Sequence, residues 1–575
     1  MHPRHLPAAA LAGTLALAAC ADLRDPVAPA ALASSAAPTF SESGTLPAFM
    51  PGQVLVRFTP GAARNEVAQA HRARPKEETR LARLWILEVE PGEELAVVNG
   101  LRGNPNVEFA EPDWLYSVVP CGTGDCTLPS DAVFGGKWDL HNSGHVTDAL
   151  GNVVATTGAA GADIDWLEAR EYLESTGGVS GSAVVAIIDS GVRATHQELA
   201  GKVIGGRNFF PPTCFLIFCF GTPVPGNWAD DNGHGTHVAG IAAARGGDGL
   251  GVPGVAYMDE VKLLAVRVCG TALGICNASG ITNGIVWAVD NGAHVLNLSL
   301  GGGAASAATQ QALQYAVSNN VLPICATGND NTAVSFPAAF PECMGVGATG
   351  WGDQRASYSN FGPQVEVVAP GGDVGGEPHS FILSSWYTSN TAYAYLAGTS
   401  MATPQVSGLA GLLRASGVTS AADIRSRLRA TADDLGAAGF DNQFGWGRIN
   451  AYRALTGMDP VISMAMSTRA TISLTANGML QVVLLDREAQ TFGLGMIDVE
   501  SIRLDGVPVA RRTGGAPYAT WSDTDGDGRA DLVLHFELPA LRAAGVLVGG
   551  TTQLTLRASL SDGRTLAATT AVRVG

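Results

Sequence analysis

Apolar residues along this chain fall into three successive regimes. Between residues 49 and about 117, short alternating and helical stretches take turns. Gln53-Val54-Leu55-Val56-Arg57-Phe58 alternates as a half-buried strand does; Leu84 to Glu90 and Val107 to Phe109 read as further strands. Ala62 to His71 and Glu94 to Leu101 have helical composition. The mixture predicts a small α+β unit.

From about 135 to 457 the pattern changes to continuous apolar runs. Val184 to Asp189, Val261 to Val268, Val295 to Leu300, Val321 to Thr327 and Met344 to Thr349 read as strands buried on both faces. Helical stretches alternate with them at His234 to Ala244, Gly280 to Asp290 and Ala307 to Ser318. Repeated β-α-β units predict an α/β, doubly wound parallel sheet, with its chemistry at the carboxyl ends of the strands. From about 459 to 575 short alternating strands return, at Met479 to Leu484, Ser501 to Leu504, Asp531 to Phe536 and Gln553 to Leu560. Helical periodicity is poor there except over Leu538 to Ala544, which predicts a small antiparallel β-sandwich.

Length agrees with such a division, because 575 residues exceed what one core supports and suggest about three to four domains. With 46 % apolar and 15 % charged residues the composition is globular. A net charge of -17 and the lack of any basic run argue against a nucleic-acid partner.

The first twenty residues read as an export signal: Arg4 in a short polar start, then an apolar Leu6 to Ala19 that is too short for a stable membrane span. Leu17-Ala18-Ala19-Cys20 resembles a bacterial lipobox, in which Cys20 carries lipid; cleavage after Ala16-Leu17-Ala18 is the alternative. Residues 21–48, rich in Ala, Pro and Ser, read as a flexible tether.

Three segments bear chemistry. Ala186-Ile187-Ile188-Asp189-Ser190-Gly191 ends an apolar strand on a carboxylate. Asn232-Gly233-His234-Gly235-Thr236-His237 sets His234 where a helix begins, and Gly398-Thr399-Ser400-Met401-Ala402-Thr403-Pro404 opens a long apolar helix on a serine. A serine hydroxyl needs a base to become nucleophilic, an imidazole can be that base, and a carboxylate fixes the imidazole tautomer. A fourth segment, Ala326-Thr327-Gly328-Asn329, follows an apolar strand and offers an amide donor to an oxyanion. Taken singly, an Asp ending a strand is a cap, a His before a helix is structural (the reading given to His237) and a Ser opening a helix is an N-cap. Together, in the order Asp, His, Asn, Ser, they are specific.

These blocks resemble the signature segments of the subtilases, over about 135 to 457. The resemblance implies a serine endopeptidase with Asp189, His234 and Ser400 as triad and Asn329 as oxyanion donor. Ser299, Leu300 and Gly301, with Ala326, Thr327 and Gly328, correspond to the two segments that bind substrate backbone. Residues 49–117, ending Val107-Glu108-Phe109-Ala110-Glu111-Pro112-Asp113, resemble a subtilase prodomain. That implies an intramolecular inhibitor, self-cleavage after the segment Asp113 to Val119, protein or peptide substrates, and no cofactor for catalysis. The expected product is exported, as a lipid-anchored envelope precursor, an extracellular enzyme, or both.

The short Gly-rich Arg245 to Val255 lacks an evident calcium loop of the type some subtilisins carry, and the insert Pro211 to Pro225 has no assigned counterpart. It reads as a stapled surface loop, or else as a substrate-contacting one. Asp523-Thr524-Asp525-Gly526-Asp527-Gly528-Arg529-Ala530-Asp531 resembles the start of an EF-hand loop, but Leu534 stands where the usual glutamate would be. Asp523, Asp525, Asp527 and Asp531 therefore form a candidate structural calcium loop, or a solvated acidic turn. Of nine cysteines, eight remain once Cys20 is set aside (9 − 1 = 8). An even set in an exported chain implies disulfides. Closeness in sequence suggests Cys121–Cys126, Cys214–Cys219, Cys269–Cys276 and Cys325–Cys343, the last two separated from each other by subtilase topology. Two rivals stay open: a non-catalytic binder on this scaffold, and an adhesin whose function lies in 459–575.

Overall fold

The computed structural model describes residues 49–117, 121–126, 136–142, 146–147, 153–155, 158–210, 213–215, 218–220, 223–270, 274–373, 380–457, 461–468, 471–485, 495, 497–524, 530–560 and 565–574. Cys20, the expected signal and tether, and Asp525 and Asp527 lie outside them. Among the described residues no helix is long and apolar enough to cross a membrane.

The N-terminal unit contains β1 (Phe49–Phe58), α1 (Arg64–Ala70), β2 (Arg74–Glu78), β3 (Leu84–Glu88), α2 (Glu94–Arg102) and β4 (Val107–Ser117). Its strands lie in the order β4-β1-β3-β2 with antiparallel pairing. Val54, Val56 and Leu87 close on Val67, Val98 and Leu101 of the two helices. Alternate residues such as Leu55 and Ile86 point the other way, into a core shared with the next unit. The last strand is far longer than the expected Val107 to Phe109. Its end pairs with a hairpin of the next unit, Ile275 opposite Ser117, Cys276 opposite Tyr116 and Asn277 opposite Leu115.

The central unit is a parallel sheet of seven strands. Their order is Val365–Pro370, Met344–Thr349, Leu322–Ala326, Val295–Leu298, Ala183–Asp189, Val261–Arg267 and Val203–Asn208. Within Ala183–Asp189, Val185 and Ile187 enter one core while Ala186 and Ile188 enter the core on the opposite face. A strand covered on both sides must be apolar at every position, which is why these runs do not alternate. Helices α4 (His234–Ala243) and α7 (Thr399–Ala415) cover the first face; α5 (Ala278–Asp290) and α6 (Ala307–Ser318) cover the second. α3 (Trp166–Thr176) packs at the margin of the first.

The C-terminal strands share a core of their own, with Leu480, Leu504, Phe536, Leu556 and Leu566 at its centre. The expectation of a purely antiparallel sandwich is corrected by two parallel pairings, one of them between Thr471–Ile472 and Arg573–Val574. Val461–Thr468 pairs antiparallel with Met479–Leu484 at its end, but parallel with Thr565–Ala571 at its start. One strand thereby serves two sheets.

Two expected disulfides are formed, Cys269–Cys276 with Cα atoms 4.1 Å apart and Cys325–Cys343 at 5.8 Å. Cys214 and Cys219 lie opposite each other across a hairpin, with side chains outside the described residues. The Cys121–Cys126 pairing is at odds with the backbone. Both residues belong to one strand, β5 (Cys121–Cys126), which pairs with Tyr393–Ala397. Five extended steps cover roughly 16 Å, well beyond the roughly 7 Å limit between Cα atoms that a disulfide spans.

Candidate active site

Asp189 ends the strand Ala183–Asp189, fully buried, and its backbone C=O accepts from Val268 N–H at 2.8 Å. His234 opens α4 across from it. Its Nδ1 lies 2.9 and 3.0 Å from the two Asp189 carboxylate oxygens. A carboxylate only accepts, so Nδ1 carries the proton and Nε2 keeps a lone pair. That Nε2 is buried without a hydrogen-bond partner.

The turn that presents His234 is organised by Asp230. Its carboxylate accepts from the Ser190 hydroxyl (2.9 Å), Asn232 N–H (3.0 Å), Gly233 N–H (2.9 Å), Thr236 N–H (2.9 Å) and the Thr236 hydroxyl (2.5 Å). Burial pushes its carboxyl pKa up, and the donors oppose that. Ser190, held in this way, accepts from Gly235 N–H at 2.9 Å and so ties the Asp189 strand to the His234 helix. Gly233 has φ 106°, and a Cβ there would come within 2.6 Å of the Trp386 and Tyr387 rings. His237 is structural: it donates Nε2–H to Ala394 C=O at 3.0 Å, and burial pushes its pKa down to about 3.

Ser400 is the second residue of α7. Helix position i+4 is Pro404, which has no N–H to give the Ser400 carbonyl. The Ser299 hydroxyl takes that acceptor at 2.9 Å, and the Ser400 hydroxyl donates to Ser299 C=O at 3.2 Å. The two serines thus fix each other. The Ser400 hydroxyl is hydrogen-bonded to Ser299 and not to His234 Nε2.

Asn329 lies beside the same helix start. Its amide oxygen accepts from Thr399 N–H and the Thr399 hydroxyl, both at 2.9 Å, which sets its NH2 on the opposite side. Its loop is shaped by Asn360, whose oxygen accepts from Asp330 and Thr332 N–H and whose NH2 donates to Thr327 C=O at 3.0 Å. Ser299, Leu300 and Gly301 leave the end of Val295–Leu298, and Ala326 ends the adjacent parallel strand, followed by Thr327 and Gly328. The candidate residues from five separate segments therefore meet at one end of the sheet.

Two groups that sequence patterning does not single out belong to β4. Glu111 is buried at the start of α6 and accepts from the Ser306 hydroxyl (2.8 Å), Ala307 N–H (2.9 Å) and Ala308 N–H (3.1 Å). Asp113 is buried at the start of α5 and accepts from Ser279 N–H (2.9 Å), the Ser279 hydroxyl (2.7 Å) and the Asn277 amide (3.3 Å). Burial pushes both carboxyls up to about 6, with these donors opposing it. Both lie in the prodomain-like ending Val107 to Asp113, which assigns neither a role of its own; Asp230 and Asn360 give no signal beyond being polar.

Of the expected calcium ligands, Asp531 is buried and accepts from Thr524 N–H at 2.7 Å, while Asp523 is exposed. No group of three or more His, Cys, Asp or Glu side chains gathers as a metal site among the described residues.

Residues 180–447 match the model of the Subtilase family, and residues 36–113 match that of the Fervidolysin N-terminal prodomain. The chain is 41 % identical to thermitase of Thermoactinomyces vulgaris over 274 residues, 48 % of this chain and 88 % of that one. It is 36 % identical to a thermophilic serine proteinase of Bacillus sp. (strain AK1) over 363 residues, 63 % of this chain and 76 % of that one. Subtilisin Savinase of Lederbergia lenta is 41 % identical over 280 residues, 48 % of this chain and 92 % of its own. In fold the chain resembles fervidolysin of Fervidobacterium pennivorans, a keratinolytic enzyme related to subtilisin, with a TM-score of 0.55 at 21 % identity over 76 % of this chain and 71 % of that one. With these relatives beside a His–Asp pair, a helix-opening serine and a prodomain-like unit, the chain belongs to the subtilase family of serine endopeptidases.

Proposed function

We propose that Asp189, His234 and Ser400 are the catalytic triad of a self-processing endopeptidase, with Asn329 as oxyanion donor. The observation that carries this reading is the buried His234, protonated on Nδ1 by its bond to Asp189 and bare on Nε2. His234 Nε2 takes the proton of the Ser400 hydroxyl as Oγ adds to the scissile carbonyl. The negative charge collects on the former carbonyl oxygen, where the Asn329 NH2 and the N–H groups at the start of α7 can donate. Imidazolium then gives its proton to the leaving amine, and water reverses the sequence to free the acyl group. The backbone edges of Ser299–Gly301 and Ala326–Gly328 are the proposed walls of the cleft.

The proposed organisation is a signal (1–20), a tether (21–48), an inhibitory prodomain (49–117), the catalytic unit (135–457) and a β-module (459–575). Pairing of β4 with the Cys269–Asn277 hairpin supports the prodomain role, since it delivers the chain toward the cleft. Asp523 to Asp531 is proposed as a structural calcium loop, Cys20 as a lipid attachment point, and the cell envelope or exterior as the location.

Ser400→Ala is expected to leave the fold intact, to abolish turnover of a short peptide and to leave the precursor uncut in a protease-deficient host. Unchanged turnover defeats the triad. Mass spectrometry of the same uncut precursor reads Cys20: lipid supports anchoring, and an unmodified thiol rules it out.

A further inference from the structure

An α-helix begins with N–H groups that have no intrahelical acceptor, and the field there favours anions. α5 and α6 each satisfy part of this need internally: Asn277 accepts from Gly280 N–H at 3.1 Å and Ser306 accepts from Thr309 N–H at 3.1 Å. Among the other first-turn donors, Ser279, Ala307 and Ala308 are taken by Asp113 and Glu111. None of these donors belongs to the prodomain-like unit. When that unit departs, the catalytic unit keeps two vacant carboxylate seats, lined by three N–H groups and the hydroxyls of Ser279 and Ser306.

The seats are in line with the cleft. Glu111 and Asp113 lie on β4, which continues without a break to Leu115, Tyr116 and Ser117, paired with Asn277, Cys276 and Ile275. The two carboxylates therefore stand six and four residues before the position opposite Ile275 (117 − 111 = 6; 117 − 113 = 4). The separation of the seats is that of residues i and i+2 on an extended strand, whose side chains share a face.

We infer that the N-termini of α5 and α6 form an exosite in the mature enzyme, which selects substrates carrying two carboxylates two residues apart on an extended segment upstream of the cleaved bond. The inference rests on the cleft assignment proposed above and adds a substrate class to it. Discrimination follows from acceptor count. Glu111 receives three hydrogen bonds on two oxygens, with Oε2 facing Ala307 N–H. A glutamine of the same shape has one acceptor oxygen, and its NH2 would set donor against donor at the other position. Burial raises these carboxyls only to about 6, so at pH 7.5 both are ionised acceptors. Loss of one charged acceptor corresponds to about a tenfold change.

The test uses mature enzyme obtained from the full chain and three quenched fluorescent peptides. One carries the segment Phe109 to Ser117 ahead of a cleavable reporter, the second is identical except for Gln and Asn in place of Glu111 and Asp113, and the third is a short reporter with no upstream segment. The acidic peptide is expected to exceed its amide twin at least tenfold in kcat/KM, through KM with kcat within about twofold. In the Ser306→Ala enzyme the ratio between those two peptides should shrink severalfold. Equal kcat/KM for the two long peptides, with the short one turned over normally, overturns the exosite and leaves the triad standing. A ratio that survives undiminished in Ser306→Ala also overturns it. A short peptide that is not turned over defeats the triad reading instead.

Discussion

His196 and His237 are buried imidazoles outside the proposed triad, and both are held neutral. His196 donates Nε2–H to Ala392 C=O at 2.8 Å and accepts from Glu198 N–H at 3.2 Å; burial pushes its pKa down to about 4. His237 is pushed down to about 3 by the same cause. In the unfolded chain both take a proton near pH 6.5. A folded pKa below the unfolded one means stability is fully present above about 6.5 and is lost as pH falls toward 4 and then 3. The melting temperature of the Ser400→Ala protein should therefore drop steeply below pH 6.5. His196→Gln, which keeps a donor for Ala392 C=O, should flatten that slope; an unaltered slope would show that His196 plays no part. Asp189, His234 and Ser400 are legible in the sequence alone, because each chemical type stands at a fixed point of a strand or helix. Asp230 and Asn360, which position His234 and the Asn329 loop, are not. Their partners are mostly backbone groups, with the hydroxyls of Ser190 and Thr236 beside Asp230, and backbone groups leave no mark on composition.

At the scale of elements, the central strands are readable wherever burial on both faces makes the run continuous: Met344–Thr349 and α6 fall where the apolar pattern sets them. Several apolar runs overstate their strands, Val261–Arg267 by a single residue. Val295–Leu298 and Leu322–Ala326 stop short of the expected Leu300 and Thr327, because the residues beyond leave the ladder while staying apolar or small. For the N-terminal unit's last strand the pattern errs the other way, since the partner of its second half lies some 160 residues away (275 − 117 = 158). The Cys325–Cys343 bond ties the strand before Asn329 to the residue just ahead of the next one, Met344–Thr349. A closed loop with a separation of 18 residues is worth about 3 kcal/mol in the loop-entropy account. Cys343→Ser, paired with Cys325→Ser to avoid a stray thiol, should lower stability by about that amount and reduce kcat before the core unfolds. Activity that falls only together with global unfolding in a denaturant titration would refute the bracing of the Asn329 loop.

At the scale of the molecule, cores divide the chain differently from motifs. Leu55, Leu84 and Trp114 share one core with Ile188, Ile281 and Leu313, so the prodomain-like and catalytic units are welded by apolar contact. The C-terminal core draws only on residues from Met466 onward. The Ser400→Ala protein should then melt in two steps, with the β-module separate from the rest. If Asp523 to Asp531 holds calcium, a chelator should lower only the module's step, and Asp531→Asn should remove the effect. A module step unmoved by chelator rejects the calcium loop. The formal charge of -17 says nothing about either step, which is why composition alone excludes partners better than it locates function.

The strands on either side of residues 118–120 have a consequence for timing. β4 is laced to the Cys269–Asn277 hairpin, and β5 is laced to Tyr393–Ala397, the strand that runs into Ser400. A single scission between them would leave both fresh ends moored, so the nicked molecule would keep the shape of the intact one. Covalent maturation and the onset of activity would then be two clock ticks, not one. The interval between them would be set by how long β4 takes to peel from its ladder, and the first freed molecule, able to digest the moored strands of its neighbours, would shorten the wait for all the others.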